Sequence, residues 1–175
     1  RYIPVKERDR VKYVTMDMYE NYRVTVKRRL KQAISVIDSF HVMSHINEAL
    51  DEVRLSVLRR YSKDMKSDEY YLLKTKRYVL FKEELSECYE YNNHLRSRMN
   101  DYDYLNMILK IDKDLTASYE LMKRYYYFNH YWYEYSKDDA LQYIEKYIDE
   151  CFALRLPSFE KLANTLDHWK EEIAN

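Results

Sequence analysis

A mainly helical chain with one small strand–helix–strand portion is predicted by three features of the sequence. Glycine is absent and proline occurs twice in 175 residues. Runs of β-branched residues are confined to the first 38 positions, and from Phe40 onward apolar residues recur every three or four positions. Average usage would give roughly 12 glycines. Their absence removes the Gly-rich dinucleotide fingerprint, the Walker A loop and glycine-dependent hairpin turns.

Val11-Lys12-Tyr13-Val14-Thr15-Met16, ending at Asp17, is β-branched and aromatic and predicts a strand. Ala33-Ile34-Ser35-Val36-Ile37, ending at Asp38, predicts a second. Tyr19 to Leu30 between them reads as a helix, so the unit is βαβ with two parallel strands. Parallel strands are usually buried on both faces, so this piece asks for more sheet than two strands provide. Beyond Phe40 only helix and loop are expected. Met43, Ile46, Leu50, Val53 and Val57 form one helical stripe running to about Tyr61. Ser67-Asp68-Glu69 opens a helix from Tyr70 to about Phe81, and the polar stretch from Asn92 to Asn100 is expected to be a loop. Asp101 to Leu109 is a short helix, and Asp112 or Asp114 starts the next, which carries Leu115, Leu121, Met122 and Tyr126. Ser136 reads as an N-cap with Asp138 and Asp139 in the first turn, and this helix is expected to bury Leu141, Ile144, Ile148 and Phe152. The last helix begins at Pro157 or Ser158, with Phe159, Leu162, Leu166, Trp169 and Ile173 inward.

Thirty basic and thirty acidic residues cancel, which excludes a uniformly charged coat or tail but not a local patch. Residues 1–31 hold ten basic side chains (Arg1, Lys6, Arg8, Arg10, Lys12, Arg23, Lys27, Arg28, Arg29, Lys31) against four acidic ones. This end is the better candidate for meeting phosphates, and a solvated helix face is the alternative. Hydrophobic residues make up 46%, but 21 of them are tyrosines, whose hydroxyls need partners when buried. No stretch free of Asp, Glu, Lys and Arg exceeds nine residues, far short of the roughly 20 that span a membrane. The start has no apolar signal-peptide region. Cys88 and Cys151 form neither a metal spacing nor a disulfide framework, so a reducing, cytoplasmic setting is expected. A chain beginning with Arg rather than Met is expected to be a piece of something longer.

Asp17 and Asp38 each end a strand of the same βαβ unit, at the carboxyl edge where open α/β folds place ligands. Carboxylates there suit Mg²⁺, and paired ions of this kind serve phosphodiester cleavage and transfer. The other reading is that both aspartates cap the helices that follow.

Val14-Thr15-Met16-Asp17-Met18-Tyr19-Glu20-Asn21-Tyr22, followed by Val36-Ile37-Asp38-Ser39-Phe40-His41-Val42, resembles the DDE transposases of bacterial insertion sequences, in particular the IS-L-three group. Asn47-Glu48-Ala49-Leu50-Asp51-Glu52-Val53-Arg54 continues the resemblance. It extends more weakly through Leu109–Leu115 and Leu166–Ile173. The resemblance implies an RNase-H-like fold interrupted by an all-helical insertion. Residues 1–41 would then be a partial RNase-H-like core, and 42–175 the helical insertion domain. Asp17 resembles the second catalytic Asp and metal ligand. Asp38 and His41, 21 and 24 positions on, resemble the family's supporting Asp-x-x-His signature. The first Asp and the final Glu would lie before Arg1 and after Asn175, leaving this chain inactive alone. Mg²⁺ as cofactor, DNA (transposon ends and target) as partner and self-association of the complete protein are further implications.

Arg23, Lys27, Arg28, Arg29, Lys123 and Arg124 are the candidate DNA contacts. Tyr125-Tyr126-Tyr127-Phe128 and Tyr131-Trp132-Tyr133-Tyr135 follow the last two, and fit either base stacking or internal packing. His41 and His45 have metal-ligand spacing, but apart from Glu48 no further ligand follows. His41 is better read as orienting the site near Asp38. Neither cysteine has the basic neighbour of a nucleophile. Two functions remain. One is a transposase segment serving Mg-dependent DNA cleavage and strand transfer, and the other a non-enzymatic helical interaction module. They differ over Asp17, because only the first requires it at a parallel strand end beside Asp38 and His41.

Overall fold

The computed structural model describes residues 4–175; Arg1, counted above among the basic residues, lies outside them. In chain order the elements are α1 (Val5–Arg8), β1 (Tyr13–Met16), α2 (Glu20–Arg29), β2 (Ile34–Ile37), α3 (Ser39–Arg60), α4 (Asp68–Thr75), β3 (Glu90–Asn92), β4 (Ser97–Met99), α5 (Asp101–Leu109), α6 (Lys113–His130), α7 (Lys137–Ala153) and α8 (Pro157–Ala174). Short 3₁₀ turns occupy Arg77–Leu80 and Trp132–Glu134. The chain is mainly helical with a small βαβ portion, as the sequence predicts.

Two compact units form, one from the residues up to Ile46 with Tyr125–Asn175, the other from Asn47–Arg124. Helix α8 returns to pack on β2, and α7 packs along α8.

In the first unit β1 and β2 pair in parallel, Tyr13 opposite Ile34 and Met16 opposite Ile37. Only Met16 of β1 is buried, and Tyr13 and Ile34 are exposed. A parallel strand is normally covered on both faces, so β1 lies unusually bare. Helix α8 covers β2, and the residue that follows it binds the strand directly: Asn175 Nδ2 donates to the Ser35 carbonyl at 2.9 Å. Phe159, Leu162, Leu166 and Trp169 point inward from α8, and Ile144, Tyr147, Ile148 and Cys151 from α7. Burying each such side chain stabilises by about 1.5–3 kcal/mol. Phe152, expected inside, is exposed. The inward stripe of α7 runs instead through Tyr147 and Cys151, one residue round the helix.

The aromatic run divides by helical phase. Tyr125 and Phe128 are buried, with Tyr125 5.0 Å from Tyr147 and Phe128 stacked on Tyr143 at 4.2 Å. Tyr127, Trp132 and Tyr133 stay exposed.

In the second unit the expected stripe of α3 is buried at Leu50, Val53 and Val57. The buried Arg54 is satisfied by Asp51, at 2.7 and 3.0 Å, and by the Leu73 carbonyl at 2.8 Å. Helix starts follow the capping chemistry in the sequence. Ser67 accepts the Tyr70 N–H, Asn100 and Asp103 form a reciprocal capping box, and Asp112 accepts the N–H groups of Asp114 and Leu115. The helix expected to reach Phe81 stops at Thr75 and tightens into the 3₁₀ turn.

The stretch after Phe40 is not free of strand. Strands β3 and β4 pair antiparallel, Glu90 opposite Met99, and β4 with the end of β3 falls in the stretch expected to be loop. Their three-residue length gives no alternating pattern to read. The turn forms without glycine: Asn92 Oδ1 accepts the N–H groups of His94 and Leu95, and Arg96 takes the left-handed conformation at φ 51°. Asn92 Nδ2 donates to the hydroxyls of Tyr71 and Tyr104, which answers the phenol-partner problem there.

Candidate active site

The β1–β2 register carries past Ile37. The Asp38 N–H donates to the Met16 carbonyl at 3.1 Å, so Asp17 and Asp38 follow matched residues at the carboxyl edge of the sheet. Strand ends at this edge point their side chains into the space that α/β folds use for chemistry.

The two aspartates do different things there. Asp38 Oδ1 accepts the Phe40 N–H at 3.0 Å and caps α3. The capping alternative therefore describes Asp38 well. Asp17 caps nothing: its side chain is 54% exposed, and Oδ1 accepts the Nε2–H of His41 at 2.7 Å. Among the described residues its other oxygen takes no bond. His41 was expected to serve Asp38. Because α3 begins at Ser39, four residues before the apolar stripe suggests, His41 falls in its first turn and reaches the neighbouring strand end instead. Phe40 is exposed beside it, its ring edge-on to the imidazole at 5.7 Å.

Next to this edge the same unit holds a cavity of about 360 Å³, lined among others by Thr15, Asp38, Ser39, Trp132, Tyr135 and Lys137. Trp132 sits in the aromatic run that the sequence left between stacking and packing.

An outward carboxylate oxygen with its partner oxygen held by a donor suits a hard cation as one ligand among several. Among the described residues no group of three or more His, Cys, Asp or Glu side chains is placed to hold a metal, the His41–His45–Glu48 run included. Asp17 therefore fits Mg²⁺ as a contributing ligand and not as a complete site.

The basic candidates separate. Arg23 is turned into the first unit. Its Nη2 donates to Glu172 at 2.6 Å and to the His168 carbonyl at 2.7 Å, and its guanidinium lies 3.9 Å over the Trp169 ring. Lys27, Arg28 and Arg29 are exposed on the last turn of α2. Lys123 and Arg124 lie on α6. Arg10, Lys12 and Lys31, part of the N-terminal excess of basic residues, are exposed and lie outside every helix and strand.

A family model described as a transposase, for the ISL3 group of DDE enzymes, matches residues 2–175. No curated protein and no solved structure matches the chain.

Proposed function

Because the chain belongs to the ISL3 family of DDE transposases, we propose that it supplies Asp17 as the second catalytic aspartate of a Mg-dependent centre for DNA cleavage and strand transfer. The observation that carries this reading is the exposed Asp17 carboxylate at a parallel strand end, held by His41 through one oxygen and open at the other. His41 fixes the carboxylate's rotation, as outer partners of metal ligands do. Asp38 acts one step back, by capping the helix that positions His41.

When bound, Mg²⁺ would stabilise the charge that develops on the phosphoryl oxygens as the strand is cut and joined. Two-metal chemistry needs several converging carboxylates, so a further Asp and a Glu from the complete enzyme would close the site. The bareness of β1 supports this reading, since it leaves room for more RNase-H-like sheet. The complete enzyme would self-associate on DNA. No helix among the described residues is long and apolar enough to cross a membrane.

The test compares excision of the insertion sequence in cells by the complete transposase and two variants. Asp17→Asn keeps shape but loses the charge that holds a hard cation, and excision should fall to background. Asp38→Asn should stay within a few-fold of native, because Asn caps a helix about as well as Asp. Equal activity of Asp17→Asn and the native enzyme would return Asp17 to a structural role.

A further inference from the structure

In a right-handed βαβ unit the helix runs antiparallel to its strands, so the end of α2 comes back to the amino-terminal edge of the sheet. Three separate segments therefore meet there. Arg10 and Lys12 lead into β1; Lys27, Arg28 and Arg29 end α2; Lys31 leads into β2. The Ile34 N–H donates to the Lys12 carbonyl at 2.8 Å and the Ala33 N–H to Leu30 at 2.9 Å, which ties the segments together at that edge. All six cations are exposed, and none forms an ion pair among the described residues. Glu7 and Asp9, the carboxylates on the approach to β1, make no ion pair with them either. Elsewhere in this unit, Arg23, Lys137 and Lys170 each hold a carboxylate.

Helix-dipole compensation accounts for Lys27, Arg28 and Arg29 on the last turn of α2. It does not account for Arg10, Lys12 and Lys31, which are on no helix. Six like charges brought together without counter-ions repel one another, and a polyanion relieves that repulsion.

We propose that this amino-terminal edge is a sequence-independent binding surface for the phosphate backbone of double-stranded DNA, separate from the carboxylate edge. Lys12 and Asp17 are five strand residues apart, roughly 17 Å at about 3.3 Å each. The cations are therefore out of reach of the phosphate at Asp17 but within reach of phosphates elsewhere on the same duplex. Lysine and arginine on phosphates position a duplex without reading its bases. The choice of DNA as the polyanion rests on the transposase reading; the surface itself does not.

The experiment measures binding of this 175-residue chain to a short duplex of arbitrary sequence by fluorescence anisotropy. Between about 50 and 200 mM NaCl, the plot of log K against log salt should have a slope near −5, since each neutralised phosphate contributes about −0.9. The variant Lys12→Gln, Arg28→Gln, Arg29→Gln, Lys31→Gln, shown folded by circular dichroism, should give a slope shallower by about 4, one unit per cation. Lys63→Gln, Lys66→Gln, made on exposed lysines of the second unit, should keep the native slope. So should Asp17→Asn, which separates failure at this edge from failure of the catalytic reading. An unchanged slope in the four-site variant would overturn the proposal, as would tighter binding to duplex RNA or to vesicles of anionic lipid than to DNA.

Discussion

His41 Nε2 and Asp17 Oδ1 lie 2.7 Å apart although 24 positions separate them in the chain. The contact joins the first turn of α3 to the end of the adjacent parallel strand. It fixes one carboxylate oxygen and leaves the other facing outward.

Removing the imidazole should loosen the carboxylate without deleting it. His41→Ala in the complete transposase should lower cleavage of insertion-sequence ends roughly 10- to 100-fold, the usual cost of losing an outer partner of a metal ligand. The loss should shrink as Mg²⁺ is raised. His41→Gln, which can still donate an N–H, should recover much of the rate. A loss in His41→Ala that does not change with Mg²⁺ would count against an orienting role.

Arg23 was a candidate for DNA, and its surroundings give it other work. Its side chain and that of Glu172 are nearly buried against each other, and Trp169 covers the guanidinium. Arg23→Gln leaves Glu172 without its cation, and stability in urea should drop by about 2 kcal/mol or more. The salt slope for DNA binding should not move. A variant that folds as stably as the native chain yet binds DNA less well would put Arg23 on the DNA surface.

Asp101 is nearly buried in the second unit, and burial alone would raise its carboxyl. The donors Lys82 at 2.7 Å, the Ser86 N–H at 2.9 Å and the Tyr78 hydroxyl at 2.8 Å outweigh burial and hold it below the usual carboxylate range. A carboxyl depressed in the folded state stabilises fully above its unfolded value, near pH 4, and the contribution disappears as pH falls through the lower folded value. Unfolding free energies measured down that range should fall more steeply for the native chain than for Asp101→Asn. At neutral pH Asp101→Asn should be weaker by about 1–3 kcal/mol. Parallel pH profiles would contradict the assignment.

The elements that the sequence announces most plainly carry their own start signals. Ser67, Asn100, Asp112 and Ser136 each cap the helix that follows, and Pro157 opens α8 from its first turn. β1 and β2 are legible because their β-branched runs end at Asp17 and Asp38, and the edge they share follows from βαβ handedness. Less legible is whatever depends on one residue of phase or on distant partners. Phe152 against Tyr147 and Cys151 is a matter of about a hundred degrees round α7. The β3–β4 hairpin hides because Asn92 does what a glycine turn would do. Arg23 reads as one more cation until α8 brings Glu172 and Trp169 to it. His41 could be placed near the site from spacing, but its choice of Asp17 over Asp38 depends on where α3 begins.

Metal ligation by Asp17 is the centre of the account, and a ligand swap tests it most directly. Asp17→Cys replaces a hard oxygen donor with a softer sulfur, which Mg²⁺ accepts poorly and Mn²⁺ tolerates better. End cleavage by the complete transposase carrying Asp17→Cys should vanish with Mg²⁺ and return in part with Mn²⁺, while the native enzyme works with either. Full activity of the variant with Mg²⁺, or silence with both metals in a folded protein, would contradict direct contact between Asp17 and the catalytic ion.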